Sequence, residues 1–231
     1  MRTHEVGGGI PPSHGRPALL AIPVLSTAFA YVGGHVIGEP VAMAGFGLLW
    51  GALALASAPR IAHLGAAAPF WANLPVWIML PLSWLVLGGS MLAHIAGATP
   101  DALLQMLQQP GYGLFFYAIH ASFEWMLLPW ALAANWSQPT RRKLLLVAAL
   151  VFYFGRIASA AYFAPNAINW GTNPEMAAAV AAQVELWIRL DLLRLAFQDL
   201  ITAMIVLVAA LHPRFQPAVR EKSHVDQLNR T

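Results

Sequence analysis

From Ile61 to Pro100 the chain reads IAHLGAAAPFWANLPVWIMLPLSWLVLGGSMLAHIAGATP, without one Asp, Glu, Lys or Arg. A helix needs about 20 apolar residues to cross the hydrocarbon core of a bilayer. The part from Phe70 to Gly97 exceeds that length. It is continuous rather than alternating, so it reads as a membrane helix and not as a barrel strand. Working outward, the stretches Pro17–Ile37, Val41–Pro59, Tyr112–Asn135 and Leu144–Pro165 qualify in the same way, as does a last one ending at Leu211. The expected fold is all-α: a polytopic transmembrane helical bundle of six spans over residues 17–211. A short N-terminal segment, 1–16, precedes it and a basic tail, 212–231, follows.

Composition agrees. Of 231 residues, 58% are hydrophobic and 10% charged, against about 25% charged in soluble domains. A sequence pI near 9.6 raises the question of nucleic acid. The cations form no amphipathic or aromatic-interleaved patch, and no nucleic-acid partner is expected. With no cysteine, disulfides, thiolate metal sites and iron–sulfur clusters are excluded.

Cation placement orients the bundle. Arg2 and Arg16 precede the first span. Arg60 falls in the second loop, Arg141, Arg142 and Lys143 in the fourth, and Arg214, Arg220, Lys222 and Arg230 in the tail. The odd loops hold none. The positive-inside rule then places both termini in the cytoplasm of a bacterial inner membrane. Ala28-Phe29-Ala30 has the form of a signal-peptide cleavage site. Cutting there would leave five spans and set the Arg60 loop against the other basic loops, so the first span is read as a membrane helix.

Two loops carry helix starts, Thr99-Pro100-Asp101 and Asn173-Pro174-Glu175. The short helix after Thr99 turns Leu103, Leu104 and Leu107 toward lipid or protein. From Glu175 to Leu211 a helix would exceed the hydrocarbon thickness, so it either projects outward or bends. Trp50, Trp71, Trp77, Trp130, Trp136, Trp170 and Trp187 read mostly as an interfacial belt. Gly33-Gly34 and Gly88-Gly89-Ser90 read as close-packing sites.

Ionisable residues within spans are costly and are functional candidates by default. Glu124 lies near the middle of the fourth span, Arg156 near the middle of the fifth and Asp199 halfway along the last. Tyr117, His120 and Glu124 share one helix face. A desolvated carboxyl group beside an imidazole can serve as a general acid near neutral pH. On the last helix Asp191, Arg194 and Gln198 project to one side, and Glu185, Arg189 and Asp199 to another. Trp84 and Trp125 lie deeper than the belt and are candidate pocket walls. His35, Glu39, His94, His120, Glu124, Arg156, Arg189, Asp191, Arg194 and Asp199 are expected between the midplane and the outer face, while the cytoplasmic halves are almost purely apolar.

Four readings follow. In the first, an acid/base enzyme of isomerase or cyclase type acts on a lipophilic substrate, with Glu124, His120 and Asp199 catalytic. Tyr117, Arg156, Arg194, Asp191, Trp84 and Trp125 then bind the substrate. In the second, the acids serve a proton-coupled small-molecule transporter or sensor. In the third, two of His35, His94 and His120 hold b-type haem. In the fourth, the chain is a structural subunit of a membrane complex. No cofactor is otherwise expected, and the only firm partner is the lipid bilayer.

The stretch Arg156-Ile157-Ala158-Ser159-Ala160-Ala161-Tyr162-Phe163-Ala164-Pro165 and the stretch Trp187-Ile188-Arg189-Leu190-Asp191-Leu192-Leu193-Arg194 resemble the carboxy-terminal part of small bacterial polytopic proteins of the anthrone-oxygenase-like class. Members are commonly shorter, so the first third of this chain is not covered. Size and buried acids are also similar to those of membrane-embedded terpene cyclases. Neither resemblance implies a particular reaction.

Overall fold

The charge-free stretch forms α3, Pro69–Ala96, within one residue of the expected span. The structure, a computed structural model, describes residues 16–35, 39–109, 119–173, 175 and 179–212. The described residues form helices and no strand. Among the described residues four helical runs are long and apolar enough to cross a bilayer: Pro40–Ala67, Pro69–Ala96, Pro139–Thr172 and Ala181–Leu211. In α1, Arg16–Gly34, the apolar part is the shorter Ile22–Val32. Residues 112–118 of the expected fourth span lie outside the described residues, as do Pro174 of the helix start at Asn173-Pro174-Glu175 and residues 176–178 that follow it.

The second helix, α2 (Pro40–Ala67), runs beyond the expected end at Pro59 and carries Arg60 within it. Helical hydrogen bonds are internal to the segment, so the helix need not stop where the hydrocarbon stops. Only Ala68, in extended conformation, separates α2 from α3. Along α1, Gly47 and Gly51 let the backbones meet closely. A Cβ on Gly51 would lie 2.6 Å from Pro23 Cα, and the Ser26 hydroxyl donates to Gly47 O at 2.7 Å. Small residues at such contacts replace the hydrophobic drive that lipid does not supply. Gly88, expected to pack closely, faces open space.

The Thr99 cap is as expected. It accepts from Ala102 N at 3.3 Å and starts α4, Pro100–Leu107. The fourth span is described from Ile119 and ends in α5, Leu128–Ala134. The run Pro139–Thr172 holds α6 (Pro139–Ala158) and α7 (Ala164–Thr172). The run Ala181–Leu211 holds α8 (Ala181–Arg194) and α9 (Ile201–Leu211). At 1.5 Å per residue these runs are about 51 and 46 Å long, well beyond the roughly 30 Å hydrocarbon core. Their overlong ends meet α4 in a small second core of Leu103, Trp170, Val184, Trp187 and Ile188. Leu103 thus turns to protein. Trp170 and Trp187 are buried there and are not part of an interfacial belt, because three helices converge on them.

Among the described residues three π-helical turns interrupt the bundle: Phe123–Leu127, Ser159–Phe163 and Leu195–Leu200. Proline explains the first two. Leu128 N–H donates to Phe123 O, so the next carbonyl, Glu124 O, would look to residue 129, which is Pro129 and has no N–H. The Tyr153 hydroxyl supplies the missing donor at 2.7 Å. Pro165 stands in the same position after the second turn. No proline follows the third turn.

The main core gathers Val76, Met79, Phe123, Leu128, Leu145 and Phe152 around α3. At the end of the bundle bearing Arg60 and Arg141, expected to be almost purely apolar, a buried polar group stands among the helices. Arg141 is 1% exposed. Its Nε donates to Ala209 O at 2.9 Å, and its Nη1 donates to Asn73 Oδ1 and, at 3.2 Å, to Asn135 Oδ1. Asn135 Nδ2 in turn donates to Ala72 O at 2.7 Å and Ala131 O at 2.8 Å. A cation here also suits the carbonyl ends of α5 and α9. Arg141 is therefore an interior tie between helices and not a loop cation.

Candidate functional site

The first π turn turns Glu124 into the bundle, where it is 1% exposed. One turn earlier on the same face, His120 places Nδ1 3.6 Å from Glu124 Oε1. From α6, Arg156 Nε reaches the same oxygen at 2.5 Å. Its guanidinium also lies 5.5 Å from the Phe29 ring on α1. Trp125, buried beside them, packs against Phe29 and Tyr153. A carboxylate in the interior thus has a cation and an imidazole on one oxygen, an arrangement that can exchange a proton for an ion pair.

The last helix supplies the rest. Arg194 Nε donates to Asp191 Oδ1 at 2.7 Å, and Arg194 Nη1 donates to Gln198 Oε1 at 3.4 Å. His94 Nδ1, from α3, stands 3.9 Å from Asp191 Oδ2. Gln198 fits over Gly155 of α6, where a Cβ would lie 2.6 Å from Gln198 Cδ and Cγ. Gly155→Ala is therefore expected to dislodge Gln198, which is itself buried, and to cost about 1–3 kcal/mol of stability. Thermal unfolding in detergent reads this, and an unchanged midpoint would refute the notch.

Asp199 was expected on the face of Glu185 and Arg189. Those two form an exposed pair at 2.6 Å, whereas Asp199 is 3% exposed and faces Ser90 of α3. The cause is the third π turn. Each such turn carries one residue more than an α turn, which shifts the phase beyond it by about 100°. A small cavity of about 10 Å³, room for one water-sized occupant, is lined by Asp199, Thr202, Ser83, Val86, Phe123 and Phe152.

Of the remaining candidates, Trp84 is 41% exposed and stands apart from the cluster. His35 is exposed beside the Tyr31 ring, 5.0 Å away. Tyr117 lies outside the described residues. The cluster is thus built from His120, Glu124, Arg156, Asp191, Arg194 and Asp199, with His94 at its edge. Sequence reasoning missed Tyr153, Gln198 as a partner of Gly155, and the Arg141 tie. The available signals were Pro129 five residues after Glu124 and a glycine opposite a buried amide. By its four long apolar helices, the chain has the make-up of an integral membrane protein of the helical-bundle class. No family model, curated protein or solved structure matches it.

Proposed function

We propose that the protein is a six-span inner-membrane carrier or sensor for a small molecule, driven or switched by protons, with both termini in the cytoplasm. Glu124 is its proton-binding acid. The observation that carries this reading is the shared oxygen: Glu124 Oε1 faces Arg156 at 2.5 Å and His120 at 3.6 Å. Proton uptake by Glu124 removes the charge that holds Arg156. A guanidinium without an anion is expensive inside a bilayer, so the helix carrying it must move or find another carboxylate. Proton binding is thereby converted into helix movement.

Among the described residues the space at the cluster has room for one water-sized occupant, enough for a water that relays a proton. The alternation of Lys and Arg along the sequence supports the six spans and their orientation.

Proteoliposomes containing a pH-sensitive dye test the proposal. The protein is expected to admit protons under an imposed gradient. Glu124→Gln, in protein of unchanged chromatographic behaviour, is expected to cut the rate at least about tenfold, a change of about 1.4 kcal/mol in barrier. Equal rates for the two proteins would overturn the reading.

A further inference from the structure

We propose that the crevice between α2, α3 and the end of the fourth span binds one anionic phospholipid, with a hydrocarbon chain in the crevice and the phosphate at Arg60 and His63. The first support is shape. The crevice has a volume of about 160 Å³. Leu127 and Pro75, both buried, form its floor, and Leu64, Trp71 and Ile78, all exposed, form its rim. The opening therefore faces sideways, into lipid. Trp71 and Ile78 stand seven residues apart on one helix, so the crevice runs about 10 Å along α3. Hydrocarbon chains of a bilayer lie in that direction.

The second support is the way the walls are held. Near the α2–α3 turn the helices pack tightly, and a Cβ on Gly65 would lie 2.7 Å from Ala134 O. One turn earlier on α5, Trp130 forms a wall of the crevice, and its Nε1 donates to Ser57 Oγ of α2 at 2.8 Å. That bond fixes the indole and occupies its one polar group. A water in the crevice would find no partner, and an empty space would forfeit the dispersion contacts of its walls. Apolar cavities of this size stay dry and take apolar molecules. At an opening onto lipid, the apolar molecule at hand is a hydrocarbon chain.

The third support is charge. Arg60 and His63 are exposed on the same two turns of α2 as the lining residues Ile61 and Leu64. Neither has a carboxylate partner among the described residues. From Ile61 to Pro100 the chain carries no Asp or Glu. A hydrocarbon chain that leaves lipid for the crevice gains no hydrophobic free energy, so preference rests on fit and on the head group. A basic residue at the membrane surface favours anionic lipid, and the long stem of an arginine lets its charge reach the head groups. The site stands on the membrane class of the chain and not on the carrier reading.

The test is photochemical labelling of the full chain in phosphatidylcholine vesicles. Phosphatidylglycerol with a diazirine in one acyl chain is the probe, and phosphatidylcholine with the same diazirine is the reference. The probe is expected to label the floor residues Leu127 or Pro75, which lipid merely surrounding the bundle does not reach. Phosphatidylglycerol is expected to label them about fivefold more than phosphatidylcholine does, and Arg60→Gln to erase that preference. Ile78→Trp, on the exposed rim, is expected to fill the crevice and cut floor labelling at least about tenfold, with labelling elsewhere unchanged. Label confined to exposed residues overturns the site, as does equal floor labelling by the two lipids in the wild type. Disulfide-linked dimers through Trp71→Cys, with an unlabelled floor, would seat a second copy of the chain there and overturn it too. The comparison of the two lipids uses the wild type alone, so no variant's folding can obscure the result.

Discussion

Arg141→Met is expected to be the most damaging single substitution outside the polar cluster. It removes three hydrogen bonds to Ala209 O, Asn73 Oδ1 and Asn135 Oδ1, and leaves buried acceptors on three helices without donors. Each stranded acceptor costs about 1–3 kcal/mol. Part of this is returned because the guanidinium is itself expensive to bury and has no carboxylate partner among the described residues. A net loss of about 4 kcal/mol is expected, read as a fall of about 10 °C in the midpoint. Arg141→Lys should recover less than half of it, because one ammonium cannot span the acceptors that the planar fork reaches together. A midpoint within about 2 °C of wild type for Arg141→Met would show that the tie contributes little.

The second large effect is at the other end of the bundle. Arg156→Met leaves Glu124 buried without its cation and is expected to cost about 3 kcal/mol. The Arg156 side chain is 22% exposed, which places the figure at the lower end for a buried pair. Adding Glu124→Gln to that variant should restore stability, with a coupling energy above about 1 kcal/mol in the double-mutant cycle. The double variant should nonetheless remain without proton flux. Recovered stability with absent flux separates a working pair from one that only joins helices. Additive losses in the cycle would mean that the two groups do not sense one another.

The outlines of the fold could be read from residues because apolar length and caps are local properties. The charge-free stretch specified α3, and Thr99 specified the start of α4. Glu124 and Arg156 could be paired because charges in apolar spans have few places to go. Two features could not be reached that way. Arg141 meets Ala209 across 68 positions of sequence, and nothing in Pro139-Thr140-Arg141 separates an interior guanidinium from a basic loop. Asp199 was assigned to the wrong face because helical-wheel reasoning assumes an unbroken 3.6-residue period, and one added residue defeats it.

The three π turns also act as phase joints. Below them, the Arg141 tie fixes how α5, α6 and α9 present themselves to one another. Above them, the polar cluster sets its own rotational alignment on the same strands of chain. Because each joint absorbs about a quarter of a turn, the two ends of one helix are geared independently. The anchoring end can stay locked while the charged end is indexed to a different partner, as a shaft is with a coupling along its length.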